Sequence, residues 1–172
     1  MTLTSVERYP HQTVPAVGHH AVVVGGSIAG LLAARVLSDA FEQVTVVEKD
    51  TYPERPKPRR GVPQGAQIHA LQEAGRATLE DLFPGFGEDL LSAGGLLLDA
   101  TSDLKYYMAG GFLADGTERM PGYSATRPLI EHVIRRRIAE RPDIRLRTGC
   151  RVTEYLTEGD AATVTGVSLG DD

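Results

Sequence analysis

Residues 22–30 read Val-Val-Val-Gly-Gly-Ser-Ile-Ala-Gly, a valine run that breaks on two glycines and passes at once into a helical pattern. A strand covered on both faces shows no polar alternation, so the apolar run Ala21 to Val24 reads as a buried strand. Ile28, Leu31, Leu32, Val36 and Leu37 then recur at helical spacing, with Ala29, Gly30, Ala33 and Ala34 among them. Val44 to Glu48 is the next strand. Two parallel strands need a crossover, and strand, glycine turn, helix and strand fill the roughly 30 residues that a βαβ unit takes. The chain therefore starts as an α/β fold.

The glycines carry a second message. Gly25, Gly26, Ser27, Ile28, Ala29 and Gly30 match the dinucleotide fingerprint G-x-G-x-x-G with Ser27 in place of the middle glycine. Gly25 makes the tight turn off the strand, and Gly30 lets the helix pack close to the sheet. The helix N-terminus offers N–H groups and a positive dipole end to a pyrophosphate. Ser27 places a small side chain where bare backbone normally meets phosphate, and its hydroxyl is a possible phosphate donor. Glu48, 23 positions after Gly25, ends the second strand. A carboxylate there accepts from both ribose hydroxyls of an adenosine and repels a 2′-phosphate, which disfavours NADP. The plain alternative is that Glu48 merely caps a strand end.

The remaining chain is less regular. Residues 1–17 read as a flexible polar leader. His11, His19 and His20 lie close together there, but no carboxylate or thiol completes a ligand set, so a polar arm is the better reading than a metal clip. Pro53, Pro56, Pro58 and Pro63 exclude regular structure from 50–65, a stretch that is locally basic through Arg55, Lys57, Arg59 and Arg60. A helix is expected from Ala66 to Leu82, stopped by Pro84-Gly85. Leu96 to Leu98, Leu104 to Met108 and Gly111 to Leu113 look like short strands, with Asp115-Gly116 as a hairpin-type turn. Thr126 to Glu140 is a second clear helix, with Pro128 in its first turn. Leu129, Ile130, Val133, Ile134 and Ile138 form its stripe; Glu131, Arg135, Arg136 and Glu140 lie mainly off it. Ile144 to Arg147 is a strand. Arg151 to Thr157 and Ala161 to Leu169 pair across Glu158-Gly159-Asp160 as a β-meander whose next strand is missing.

Composition removes other classes. A net charge of −5 argues against general nucleic-acid binding. The single cysteine, Cys150, rules out an internal disulfide framework and reads as a structural thiol. No apolar run reaches the roughly 20 residues of a membrane span. With no secretory pattern at the N-terminus, the expected compartment is the cytoplasm. Asp99 and Asp103 read as turn residues, Arg135-Arg136-Arg137 as a charge run on an exposed helix face, and no G-x-S-x-G supports a hydrolase.

The order of elements, the segment PRRGVPQGAQIHAL (Pro58 to Leu71) and the helix SATRPLIEHVIRRRI together resemble the class A FAD-dependent monooxygenases, the para-hydroxybenzoate hydroxylase-like superfamily. Within it, the squalene-epoxidase-like enzymes and polyketide epoxidases are the nearest in pattern. The resemblance implies a Rossmann-like FAD-binding domain with a β-meander, incomplete at the C-terminus. It spans 18–172, with 86–123 as an excursion toward the substrate domain. FAD is the implied cofactor and NADH or NADPH the transient reductant. The implied reaction is epoxidation or hydroxylation of a hydrophobic alkene or aromatic ring through a C4a-hydroperoxyflavin, for which no catalytic side chain is named. The implied cofactor-binding residues are the 25–30 turn, Glu48 and Lys49, with Arg59 or Arg60 near the pyrophosphate or flavin. Gln67 and His69 would lie near the isoalloxazine, Arg127 at a helix start that meets the cofactor, and Val152 beside the adenine. A solvated loop remains the alternative for the two arginines of 59–60, a helix surface for Gln67 and His69, a cap or surface ion pair for Arg127, and plain core for Val152. Relatives are more than twice as long, so the expected state is an N-terminal fragment or half of a split enzyme with a C-terminal partner chain. The other readings are a non-catalytic dinucleotide-binding module and an FAD-dependent prenyl or alkene reductase.

Overall fold

The computed structural model describes Tyr9 and residues 14–159 and 163–171. Most of the expected leader, including His11, lies outside these residues, as do residues 160–162 of the expected meander. Tyr9 packs against the core. In chain order the elements are β1 (Gly18–Val24), α1 (Ile28–Leu37), β2 (Phe41–Glu48), a 3-10 turn (Pro63–Ala66), β3 (Ile68–Leu71), α2 (Glu73–Leu82) and α3 (Phe86–Ser92). There follow β4 (Leu96–Asp99), β5 (Tyr107–Met108), β6 (Gly111–Phe112), β7 (Pro121–Thr126), α4 (Arg127–Ala139), β8 (Ile144–Thr148), β9 (Cys150–Glu158) and β10 (Thr163–Asp171).

The first sheet has the order β1-β2-β8 and is parallel throughout. Successive side chains of a strand point to opposite faces. Val23, Val44 and Val46 accordingly bury against α1 and α4, where Leu31, Ala34, Ile130, Val133, Ile134 and Ile138 complete the core. The alternate residues Val22, Thr45 and Val47 face the antiparallel β9–β10 ribbon across a hollow of about 550 Å³. A second sheet, β3-β7-β4, is antiparallel, and β5–β6 is a separate two-stranded hairpin. Helices on one face and a ribbon on the other leave the carboxyl ends of β1 and β2 open, which is where ligands enter such folds.

The βαβ unit, α4 and β8 lie where the sequence places them, with β1 and β2 each starting three residues earlier. Other expectations need correction. The helix expected from Ala66 to Leu82 is a 3-10 turn, a strand and a shorter helix. Gln67 leaves the turn in extended conformation (ψ 152°), and Ile68–Leu71 pairs with β7. Pro84-Gly85 ends α2 but also begins α3, whose Phe86 and Leu90 are fully buried. Glu80 caps that entry, accepting from the N–H groups of Gly85 at 2.6 Å and Gly87 at 3.1 Å. The β5–β6 turn is Ala109-Gly110, both at positive φ (50° and 88°), between the two expected short strands; Asp115-Gly116 lies beyond β6 and joins no strand pair among the described residues. β7 is a further strand, held by pairing with β3 and β4 rather than marked by a local pattern. Asp99 is a turn anchor: its carboxylate accepts from the Thr101 and Met120 N–H groups, and its pKa is held well below the usual range first by the Thr101 hydroxyl.

The arginine run of α4 is an exposed face only in part: Arg136 is exposed, whereas its neighbours turn toward protein. Arg135 is buried, donates to the Pro53 carbonyl at 2.9 Å and lies 4.6 Å from the Tyr52 ring centre. Arg137 donates to Asp89 and to the Pro84 carbonyl, and Arg136 pairs with Asp89. Glu131 is also buried. The proline-rich loop folds over this side of the helix, so Glu131 and Arg135 face protein while Arg136 and Glu140 stay exposed. His19 and His20 contact Glu42 and Thr45, and the described residues hold no group of three or more His, Cys, Asp or Glu arranged for a metal.

Candidate functional site

The turn from β1 into α1 forms the floor of a cleft of about 420 Å³. Gly25 sits at φ +97°, a conformation side chains resist, and its N–H donates to the Val47 carbonyl at 2.8 Å. A Cβ on Gly30 would overlap the Gly25 carbonyl oxygen, and one on Gly26 would overlap the Tyr52 hydroxyl. Both glycines are thus fixed by close approach. The first α-helical bond runs from the Leu31 N–H to the Ser27 carbonyl at 2.9 Å. The N–H groups ahead of Leu31 have no α-helical acceptor, and with the helix dipole they favour an anion at this end.

Glu48 closes the turn from β2. It is 5% exposed. One carboxylate oxygen accepts from the Gly26 N–H at 2.7 Å and the other from the Asp50 N–H at 2.9 Å. Its position is therefore set from both sides, and the group still lines the cleft. Each carboxylate oxygen has a second lone pair, so acceptor capacity for ribose hydroxyls remains. Lys49, exposed at the strand end, lines the same cleft.

Arg59 reaches this corner from the proline-rich loop. Its Nε donates to Glu131 at 2.8 Å, and its terminal nitrogens meet Asp50 at 3.0 Å, Glu48 at 3.4 Å and the Gly26 carbonyl at 3.3 Å. Burial works against its charge, but the bond to Glu131 and the nearby carboxylates outweigh it and raise its pKa. Tyr52 also donates to the Gly26 carbonyl, at 2.9 Å, and Arg59 and Arg135 both lie over its ring, 5.2 and 4.6 Å from its centre. Burial, then the Glu48 charge, pushes the Tyr52 phenol far up, so it stays a donor at any physiological pH. Ser27 belongs to the same network. Its hydroxyl donates to Glu131 at 3.0 Å and accepts from Arg127 at 3.1 Å, so its one proton is committed within the protein.

Of the residues singled out from sequence, Gly25, Ser27, Ala29, Gly30, Glu48, Lys49, Arg59 and Val152 line the cleft. Gly26, Ile28 and Arg127 stand behind or beside it, Gly26 and Arg127 through the bonds above. Arg60 and Gln67 are exposed and do not line it; the Gln67 carbonyl accepts from His69 Nδ1 at 2.9 Å. Sequence reasoning overlooked Asp50, Tyr52, Gly61, Glu131 and the wall formed by Cys150 and Arg151. Asp50 accepts from the Gly61 N–H at 2.8 Å, and a Cβ on Gly61 would press on its carboxylate. The only available signal was the run Glu48-Lys49-Asp50 at a strand end. Glu131 gave none, since a glutamate beside an apolar stripe reads as surface.

No protein-family model matches the chain. It is 39% identical over 155 residues to Protein Rv3254 of Mycobacterium tuberculosis, a match that takes in 87% of this chain and 32% of that protein. The chain thus spans about a third of the length of the curated relative it matches. Among solved structures, PqsL, a probable FAD-dependent monooxygenase from Pseudomonas aeruginosa, superposes with a TM-score of 0.63 at 16% identity, over 89% of this chain and 38% of its own. The tetrameric form of 2-methyl-3-hydroxypyridine-5-carboxylic acid oxygenase gives 0.59 at 19% identity, over 90% of this chain and 37% of its own. The chain therefore has the α/β fold found in part of these oxygenases, and the cleft lies at the carboxyl ends of its first two parallel strands.

Proposed function

We propose that the cleft binds the ADP portion of FAD and that the chain is the nucleotide-holding part of an FAD-dependent monooxygenase. The observation that carries this reading is the joint placement of the α1 N-terminus, the Gly25–Gly30 close approach and the inward-held Glu48 around one cleft of about 420 Å³. The donor set fits the group. N–H groups at the helix start suit a pyrophosphate, and the fixed carboxylate suits the two ribose hydroxyls. Glu48 would be a poor host for a 2′-phosphate. Lys49 lies at the rim of the same cleft, where its charge favours the anion. Val152 and Arg151 also line the cleft, where an adenine would rest.

When bound, the flavin supplies the reduction of dioxygen and the transfer of one oxygen atom to substrate. The chain's own residues hold the nucleotide end in register. Within this reading NADH or NADPH delivers the electrons, and the substrate is hydrophobic, an alkene to epoxidise or an aromatic ring to hydroxylate. The substrate surface then belongs to the remaining part of a longer protein or to a partner chain.

The test uses the single cysteine as reporter. Cys150 lines the cleft and is half-buried. Calorimetric titration with FAD, ADP, NAD and NADP should show binding of FAD and ADP and much weaker binding of NADP. FAD and ADP should also slow alkylation of Cys150 by N-ethylmaleimide. A chain that binds none of the four, and whose Cys150 reacts at the same rate throughout, would remove the nucleotide reading. Selective NAD binding would remove the flavin part of it.

A further inference from the structure

Arg59 is the buried cation of this corner, and an arginine beside a pyrophosphate site is ordinarily read as a phosphate ligand. Its bonding says otherwise. All three guanidinium nitrogens are engaged by protein oxygens: Nε by Glu131, one terminal nitrogen by Asp50 and Glu48, the other by the Gly26 carbonyl. Its side chain is 7% exposed, as is that of Glu48, and that of Glu131 is 5% exposed. Three carboxylates therefore converge on one guanidinium with little solvent to screen them. The fork geometry of arginine suits such multiple anchoring, which a lysine cannot reproduce.

We infer that Arg59, anchored by Glu131, is a positioning residue for nucleotide binding: it clamps Glu48 and the Gly26 peptide, and it does not grip the phosphates. The inference rests on the nucleotide reading of the cleft. Its logic is electrostatic and geometric. Without Arg59, Glu48 and Asp50 lose their shared counter-charge while Arg135 still acts on Glu131, and like charges in a buried corner push apart. Glu48 then leaves the position from which it accepts ribose hydroxyls. The Gly26 carbonyl loses one of its two side-chain donors, Tyr52 being the other. Because the peptide is planar and trans, the Gly26 carbonyl and the Ser27 N–H point opposite ways, so fixing one aims the other. Glu131 links the two halves of the device, since it also accepts a hydrogen bond from the Ser27 hydroxyl.

Ligand choice separates positioning from direct phosphate contact. A phosphate ligand matters to ADP and not to adenosine. A residue that positions Glu48 matters to both, because both carry the ribose. In calorimetric titrations of the full chain, Arg59→Ala should weaken adenosine and ADP together, each by about tenfold and by the same factor within about threefold. Arg59→Lys keeps the charge but loses the fork, and should weaken both ligands as well. Glu131→Gln guards against an alanine variant that does not fold. It leaves the Arg59 charge in place, turns its charged anchor into a neutral acceptor, and should weaken both ligands by about threefold. A loss confined to ADP in these variants, or unchanged affinity for both ligands, would overturn the inference while leaving the cleft a nucleotide site. A wild-type chain that binds neither adenosine nor ADP would overturn the nucleotide reading, and the inference with it.

Discussion

At the scale of single residues, close approach decides what each position tolerates. Gly30 is the sharpest case. Any Cβ there meets the Gly25 carbonyl, which is backbone and cannot yield as a side-chain tip can. Gly30→Val should therefore lower stability by about 1–3 kcal/mol, the usual range for overpacking, and abolish ADP binding by forcing α1 off the sheet. Urea melts and an ADP titration on the folded fraction check both; wild-type ADP affinity would show that the turn does not shape the cleft. Glu48→Ala should weaken ADP by about 1–3 kcal/mol, the range for a lost charged acceptor, and full retention of affinity would remove Glu48 from the ribose site. Gly25, Gly30 and Glu48 were legible because each answers a local demand of a strand–turn–helix unit. Glu131 and Tyr52 were not, because their value lies in partners 104 and 26 positions away, Ser27 and Gly26. Nothing in the local spacing announces such pairs.

At the scale of elements, α4 shows how a helix can be legible in extent and misread in surroundings. Its start is written in the sequence: Thr126 caps it, accepting from the Leu129 N–H at 3.3 Å, and Pro128 follows. Thr126→Ala should cost about 1 kcal/mol, the usual worth of an N-cap, measured by urea unfolding. The burial of its polar flank was illegible, because it depends on a proline-rich loop lying across it. That burial has a pH consequence. Burial first, and then Arg135 and Arg136, hold the His132 pKa below its ordinary 6.5. The folded state prefers the neutral ring, so this contribution is complete above the unfolded value and is lost as pH falls through the lower folded value. Melting temperature should drop between pH 7 and pH 5, and His132→Gln should flatten part of that drop. An unchanged acid limb in the variant would place the effect elsewhere. The misread helix at 66–82 has a related cause: β3 exists because β7, some fifty residues later, pairs with it, and long-range pairing leaves no local mark.

At the scale of the whole molecule, apolar surface is unevenly distributed. The core lies between the parallel sheet and α1 and α4, whereas the hairpin β5–β6 carries its large side chains outward. Tyr107, Met108 and Phe112 are 63%, 64% and 71% exposed, and the Tyr107 and Phe112 rings meet edge to face at 5.2 Å. Leu96, Leu97 and Met120 are also more than half exposed. Clustered exposure of this kind drives association, whereas scattered exposed side chains do not. The two-residue strands contribute little to stability, since so short a hairpin buries almost nothing. Stability and association therefore separate here. Phe112→Ser should leave the urea midpoint within the roughly 0.5 kcal/mol typical of surface changes and leave ADP affinity untouched, because the residue does not line the cleft. The same change should reduce binding of a hydrophobic dye and the concentration dependence of the sedimentation coefficient. If both stay at wild-type values, this surface is not where the chain associates. If ADP affinity falls instead, the hairpin is coupled to the cleft, and the separation of a rigid nucleotide-binding core from an outlying apolar face does not hold.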